Sequence, residues 1–369
     1  MQPESKSTTS CDVPACCNSG RRSTGAGPAG NEPLQCEPDL SKFVRSGEVA
    51  LNLGGAGERL AAAIGPQGRV ISVVAPETPL AECRQLQAQW AAQLGYSNVE
   101  CHRGRPQDLQ LDLERFDAWL ESHPARSSLD WLAAQAQAAE LRQSAPLVAS
   151  DTIDIVLARY VFNVVSRTER PQACAEIYRV LKRGGRVLIS AIVSDERVPA
   201  ALQDDPALWS TGVGGADRED LLLAALETAG FYGMEVVERA SEPHLTIGGI
   251  EFGSIIVRAF KGKTGPCLER HQAVIYNGPW KAVIDDDGHT LYRGKRMAVC
   301  DKTFQIYSRA PYSTEITRVP PAAEVPLALA LPFNCKVDAI RDPRETKSTT
   351  PSSMPLLQLS GDCGPSGCC

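Results

Sequence analysis

The chain has 369 residues, 43% hydrophobic and 22% charged, enough for one large domain and a smaller one. Its net charge of −6 excludes a basic footprint for nucleic acid. No apolar run approaches the roughly 18 residues of a membrane span and no signal-peptide core stands near the start, so a soluble cytoplasmic protein is expected.

Residues 1–35 are polar and rich in Gly, Ser and Pro, and read as a flexible segment carrying Cys16 and Cys17. Cys36 opens the next region; read by itself it is an incidental thiol at a domain edge. From Glu48 to Val74 the pattern is strand, glycine loop, helix, strand. Val49, Leu51 and Leu53 lead into Gly54-Gly55-Ala56-Gly57, an alanine-rich helical run follows, Gly65-Pro66-Gln67-Gly68 stops it, and Val70–Val74 reads as a buried strand. Two parallel strands joined by a crossover helix form half of a nucleotide-binding α/β sheet, and the glycines let backbone approach a ligand beside free helix N–H groups.

An amphipathic helix is expected over 79–94 and a third strand over 98–101. Residues 110–150 read as an inserted helix pair, with Trp119 and Trp131 packing inside the pair or onto the sheet. Asp154–Leu157 is a fourth strand, followed by a helix ending in Leu181-Lys182-Arg183-Gly184-Gly185 and a strand over 186–192. Late strands are expected near 234–238 and 251–260, and a smaller module over 262–310. Asp285-Asp286-Asp287-Gly288 reads as a solvated turn, and the five histidines as ordinary surface residues. Residues 311–369 are proline-rich with little periodicity and read as an extended, disordered tail ending in Cys363, Cys368 and Cys369.

Thirteen cysteines do not follow a disulfide-scaffold spacing, so in a reducing compartment buried hydrophobes or soft-ion ligands are expected. Thiols in Ser/Gly/Pro-rich ends are not explained by burial. Cys363, Cys368 and Cys369, spaced by Gly and Pro, can fold around one soft ion such as arsenite, zinc or copper(I).

The order of glycine loop, DIV strand and Val180-Leu181-Lys182-Arg183-Gly184-Gly185-Arg186-Val187-Leu188-Ile189-Ser190 resembles a class I S-adenosylmethionine-dependent methyltransferase. Asp205-Pro206-Ala207-Leu208-Trp209, Gly214-Gly215-Ala216, Gln272–Gly278 and Ala298–Thr303 narrow the resemblance to the arsenite methyltransferases. It implies a Rossmann-like, mostly parallel sheet with helices on both faces over 36–261, the late strands pairing antiparallel at one edge. It implies S-adenosylmethionine as cofactor, held by Asn52, Gly54, Gly55, Gly57 and Glu77, with Gln107 or Asp108 at the adenine edge. It further implies thiol-bound As(III) as substrate on Cys16, Cys17 and Cys36, with thioredoxin or glutathione as reductant; charge and hydropathy leave no nucleic-acid or membrane partner expected.

Departures from the family pattern bear on activity: Asn52 stands where the first motif carries an acidic residue, and the glycine loop is one residue short. The carboxylate expected at the end of strand two, which accepts from the ribose hydroxyls, is Val74, with Glu77 the nearby substitute. The family's two downstream cysteines fall on Tyr160 and Gly212. Three readings follow: methylation of thiol-bound As(III) in arsenic detoxification, a weak or inactive homologue binding As(III) or another soft ion through cysteines, and a methyltransferase with a different small substrate.

Overall fold

Alternation of side chains along the first strand sets up both faces of the molecule. Leu51 and Leu53 point to one side, Ala50 and Asn52 to the other, and all four are buried. In the computed structural model, which describes residues 38–54, 57–262 and 265–347, this strand is central in a mostly parallel sheet. The strands are β1 (Val49–Leu53), β2 (Arg69–Val74), β3 (Val99–Arg103), β4 (Ile153–Arg159), β5 (Leu181–Ser194), β6 (Asp217–Arg218), β7 (Tyr232–Arg239), β8 (Leu245–Ile247) and β9 (Ile250–Phe260). Their order is β3-β2-β1-β4-β5-β9-β7, with β6 on β5 and β8 on β9. The pairs from β3 to β5 run parallel, and β9 pairs antiparallel with β5 and β7, as the resemblance implies.

Helices cover both faces. On one, Leu60, Ala61 and Ile64 of α1 (Gly57–Ile64) and Trp90 of α2 (Leu80–Leu94) meet Ala50, Val70 and Ile155. After the inserted pair α3 (Leu113–Ser122) and α4 (Ser128–Ser144) come α5 (Val161–Val164) and α6 (Arg170–Val180). Ala173, Cys174 and Ile177 of α6 pack on the opposite face, against Leu51 and Val156. The buried Cys174 is a core residue, its thiol pushed up to about 12 by burial. The short helices α7 (Ala200–Gln203) and α8 (Pro206–Ser210) precede α9 (Glu219–Thr228), whose Leu222 and Leu226 complete this face.

Two expectations change in this domain. Cys83 of α2 and Cys101 of β3 are joined by a disulfide, their Cα atoms 5.8 Å apart, so this pair is neither a soft-ion site nor two lone hydrophobes. A helix packed beside the strand that follows it brings the two positions into register. Trp131, in the first turn of α4, is 59% exposed and packs neither inside the pair nor onto the sheet, while Trp119 stacks on His123 with ring centroids 4.3 Å apart. No helix among the described residues is long and apolar enough to cross a membrane.

The C-terminal module does not stop at residue 310. Its strands are β10 (Leu268–Glu269), β11 (Ala273–Tyr276), β12 (Ala282–Ile284), β13 (Thr290–Tyr292), β14 (Arg296–Ala298), β15 (Ile316–Val319) and β16 (Leu331–Pro332), and its helices α10 (Asp301–Tyr307) and α11 (Pro343–Thr346). β15 completes a sheet with β11 and β14, and β16 pairs with β10. Residues 311–347 are thus part of the module: the missing periodicity reflects very short strands whose partners lie far back in the chain. Beyond residue 347 the expected tail lies outside the described residues. The module packs on the sheet edge through Tyr232 of β7 and Phe260 of β9, which share a core with Val274, Met297, Phe304 and Tyr307.

The acidic turn is not merely solvated. Asp285 accepts from the Tyr307 hydroxyl and pairs with His289 Nδ1 at 2.9 Å, and Asp286 accepts from the Gly233 amide of β7 at 2.8 Å. His289 is therefore an anchor, not an ordinary surface residue. Burial works against the Asp285 carboxylate, but hydrogen bonds from His289 and Tyr307 outweigh it and hold its pKa at about 2. The same bond raises that of His289. Stability from Asp285 is fully present above about pH 4 and fades as pH falls toward about 2; that from His289 is fully present below about pH 6.5 and fades as pH rises through its raised value. Asp285→Asn is expected to lower stability by about 1–3 kcal/mol between these limits, with less loss outside them, as read by thermal melts across pH.

Candidate functional site

The helices after β1 and β4 leave to opposite faces of the sheet. The crevice between these strands is the switch point at which a parallel α/β sheet binds ligands. Gly54 follows β1 with φ +88°, and a Cβ on it would lie 2.7 Å from the Arg159 carbonyl oxygen at the end of β4. Only glycine lets the two strand ends approach this closely.

The other sequence candidates separate. Gly55 lies outside the described residues. At Gly57 a Cβ would lie 2.8 Å from Trp90, so packing against protein by itself requires glycine there. Asn52 is buried; its amide donates to Ser72 Oγ at 3.0 Å, and its Oδ1 has no partner among the described residues. Glu77 is exposed in a turn closed by the Thr78 amide on the Ala75 carbonyl at 3.0 Å. Asp108 is engaged by Arg142 of the inserted α4 at 2.8 Å. Gln107 is buried, and its Oε1 has no partner among the described residues, so of the two adenine-edge candidates it keeps an acceptor. Cys16, Cys17, Cys36, Cys363, Cys368 and Cys369 lie outside the described residues.

The residues present fit S-adenosylmethionine in part. The Gly54 turn gives a close backbone approach at the switch point, and Gln107 keeps a buried acceptor. At the end of β2, however, the half-buried Val74 offers no acceptor for the ribose hydroxyls.

Tyr160 and Gly212, marked in the sequence, lie on the other wall, with Arg159, Arg170 and Asp217, which sequence reading did not single out. Arg159 ends β4 with its guanidinium 6.0 Å from the Tyr160 ring, and burial holds its pKa below the usual arginine value. Tyr160 is left-handed at φ 54°, unusual for a residue with a large side chain. Asn163 donates to the Ile192 and Gly212 carbonyls at 2.8 and 3.2 Å and accepts from the Ile192 amide at 2.9 Å. Its own amide donates to the Tyr160 carbonyl at 3.0 Å. The Tyr160 and Gly212 segments are thus tied together through one residue. Behind them, Asp217 pairs with Arg170 and Arg167, which also hold the Gly215 and Ala216 carbonyls at 2.7 and 2.8 Å.

A methyltransferase domain model matches residues 45–240, and a domain of unknown function (DUF8838) matches 263–351. The mouse protein named arsenite methyltransferase is 28% identical over 234 residues, 60% of each chain. The arsenite methyltransferase of Aquipseudomonas alcaligenes is 25% identical over 320 residues, 79% of this chain and 81% of that one. A solved arsenic(III) S-adenosylmethionine methyltransferase from Chlamydomonas reinhardtii aligns with TM-score 0.47 and 21% identity over 76% of this chain and 88% of that one. The chain spans 60% of the mouse relative's length and 54% of the human one's. S-adenosylmethionine is the cofactor of such methyltransferases. With a family model covering more than half its length, the chain belongs to the methyltransferase domain family and is related to the arsenite methyltransferases.

Proposed function

We propose that the protein methylates thiol-bound As(III), serving arsenic detoxification. The observation that carries this is the meeting of the Gly54 turn with the Arg159–Tyr160 end of β4 at the switch point, in a chain with relatives of that name. The cofactor supplies an electrophilic methyl on a sulfonium. The As(III) lone pair is itself the nucleophile, so no general base is required of the chain. What the residues supply is position: Gly54 admits the cofactor's close approach, Gln107 offers an acceptor, and Tyr160, pinned through Asn163, walls the substrate side. The reading places the enzyme in the cytoplasm with thioredoxin or glutathione as the thiol reductant.

A second reading, a homologue that binds As(III) without turning it over, is favoured by Val74 at the ribose position. Incubating the reduced full chain with S-adenosylmethionine, arsenite and glutathione separates the two. Arsenite-dependent formation of S-adenosylhomocysteine together with methylated arsenicals is the expected result. Cofactor binding without either product would overturn the first reading.

A further inference from the structure

Cys267, Cys300 and Cys335 come from segments separated by more than thirty residues each, yet their Sγ atoms all lie within 4.8 Å of one another. They belong to the C-terminal module and take no part in the crevice described above. Cys300 is buried; Cys267 and Cys335 are half-buried, so the cluster is reachable from solvent.

The surrounding bonds hold the three sulfurs in place. β10 and β16 pair through Leu268 with Pro332, and the Phe333 amide donates to the Cys267 carbonyl at 2.9 Å, which sets Cys267 beside the chain leading to Cys335. Cys300 Sγ accepts from the Thr303 amide at 3.4 Å. Its neighbour Asp301 is clamped by Arg270 at 2.8 Å and Gln272 at 3.2 Å, both on the segment that follows Cys267. Beyond Cys335, Arg341 pairs with Glu269 at 2.7 Å, and its amide donates to the Arg296 carbonyl at 2.8 Å. Small buried cysteines can gather as simple hydrophobes. Two half-buried thiols converging on a third, with their backbones cross-braced, are arranged as a ligand set.

We propose that Cys267, Cys300 and Cys335 form a three-thiolate site for one trivalent arsenic. Soft sulfur donors select soft ions. Zinc takes four ligands in structural sites, and among the described residues three donors gather here. Trivalent arsenic makes three bonds and keeps a lone pair, so three thiolates complete it. The step is an exchange without redox change: three S–As bonds form, three As–OH bonds break, and each hydroxyl leaves as water with a thiol proton. The choice of arsenic over other soft ions rests on the methylation reading; the thiol cluster does not.

The test uses the reduced full chain with Cys11, Cys16, Cys17, Cys36, Cys363, Cys368 and Cys369 changed to Ser, so that thiols of the two ends contribute nothing. Titration with sodium arsenite, followed by native mass spectrometry, is expected to show one arsenic bound with loss of three thiol protons. Cys335→Ser and Cys267→Ser, both at half-buried positions, are expected to lose that species while still binding phenylarsine oxide, which needs two thiols and so reports an intact pair. Arsenite bound as well by both variants as by their parent would overturn the proposal, as would zinc displacing arsenite in direct competition. Methylation activity is read separately, on the chain with all its cysteines in place. Arsenite held at the triad by a protein that forms no methylarsenical sinks only the methylation reading, and turnover without binding at the triad sinks only this one.

Discussion

Val74→Asp is expected to tighten binding of S-adenosylmethionine by about ten- to a hundredfold. The backbone at this position is set: Val74 pairs in register with Arg103 of β3, and the Gly104 amide donates to its carbonyl at 3.0 Å. The side chain is half-buried at the C-terminal end of β2, beside the switch point, where a carboxylate can accept from ribose hydroxyls. A charge-assisted hydrogen bond is worth about 1.5–3 kcal/mol, which is roughly tenfold to somewhat over a hundredfold in affinity. Calorimetric titration of the two proteins with the cofactor reads this directly. Glu77→Gln is the companion measurement. If exposed Glu77 supplies the ribose contact, that change weakens the parent and leaves Val74→Asp little to gain. An unchanged affinity in both variants would mean the ribose does not lie at the end of β2 at all.

Asp217→Ala is expected to destabilise the domain by about 3 kcal/mol, the lower part of the range for removing one partner of a buried ion pair. The Arg170 side chain is 6% exposed and that of Asp217 27%, so the guanidinium is left with little water to replace the carboxylate. Burial already holds the Arg170 pKa below its ordinary value, with Asp217 opposing that shift. Arg170 would keep the Val165 and Gly215 carbonyls, at 3.1 and 2.7 Å, which limits the loss. Urea unfolding checks the magnitude, and Asp217→Asn should lose less because an amide oxygen still accepts. A change within about 0.5 kcal/mol, typical of plain surface substitutions, would show that the pair does not hold the segment that follows Gly212.

Much of the larger domain was legible because its signals are local. The run from Val49 to Val74 shows apolar alternation, a glycine break and a helical stretch, and each is decided within a few residues. The inserted helices announce themselves by their caps: Ser127 accepts from the Asp130 amide at 3.2 Å, and Asp112 from the Glu114 amide at 3.0 Å. The candidate site was less legible. Nothing in the sequence pairs Asp108 with Arg142, 34 positions on, or sets Gly57 against Trp90.

By itself, then, the sequence determined the parallel α/β core, the glycine turn at its centre and the absence of a carboxylate at Val74, since each depends on residue type and near-neighbour spacing. Tertiary structure alone decided which thiols meet. Cys83 joins Cys101 because α2 lies beside β3, and Cys267, Cys300 and Cys335 converge because two-residue strands pair across more than sixty positions of chain. It also decided that residues 311–347 are structural, for β15 finds its partner β11 some forty residues upstream. Periodicity records which face of an element is apolar; it does not record which distant element that face will meet.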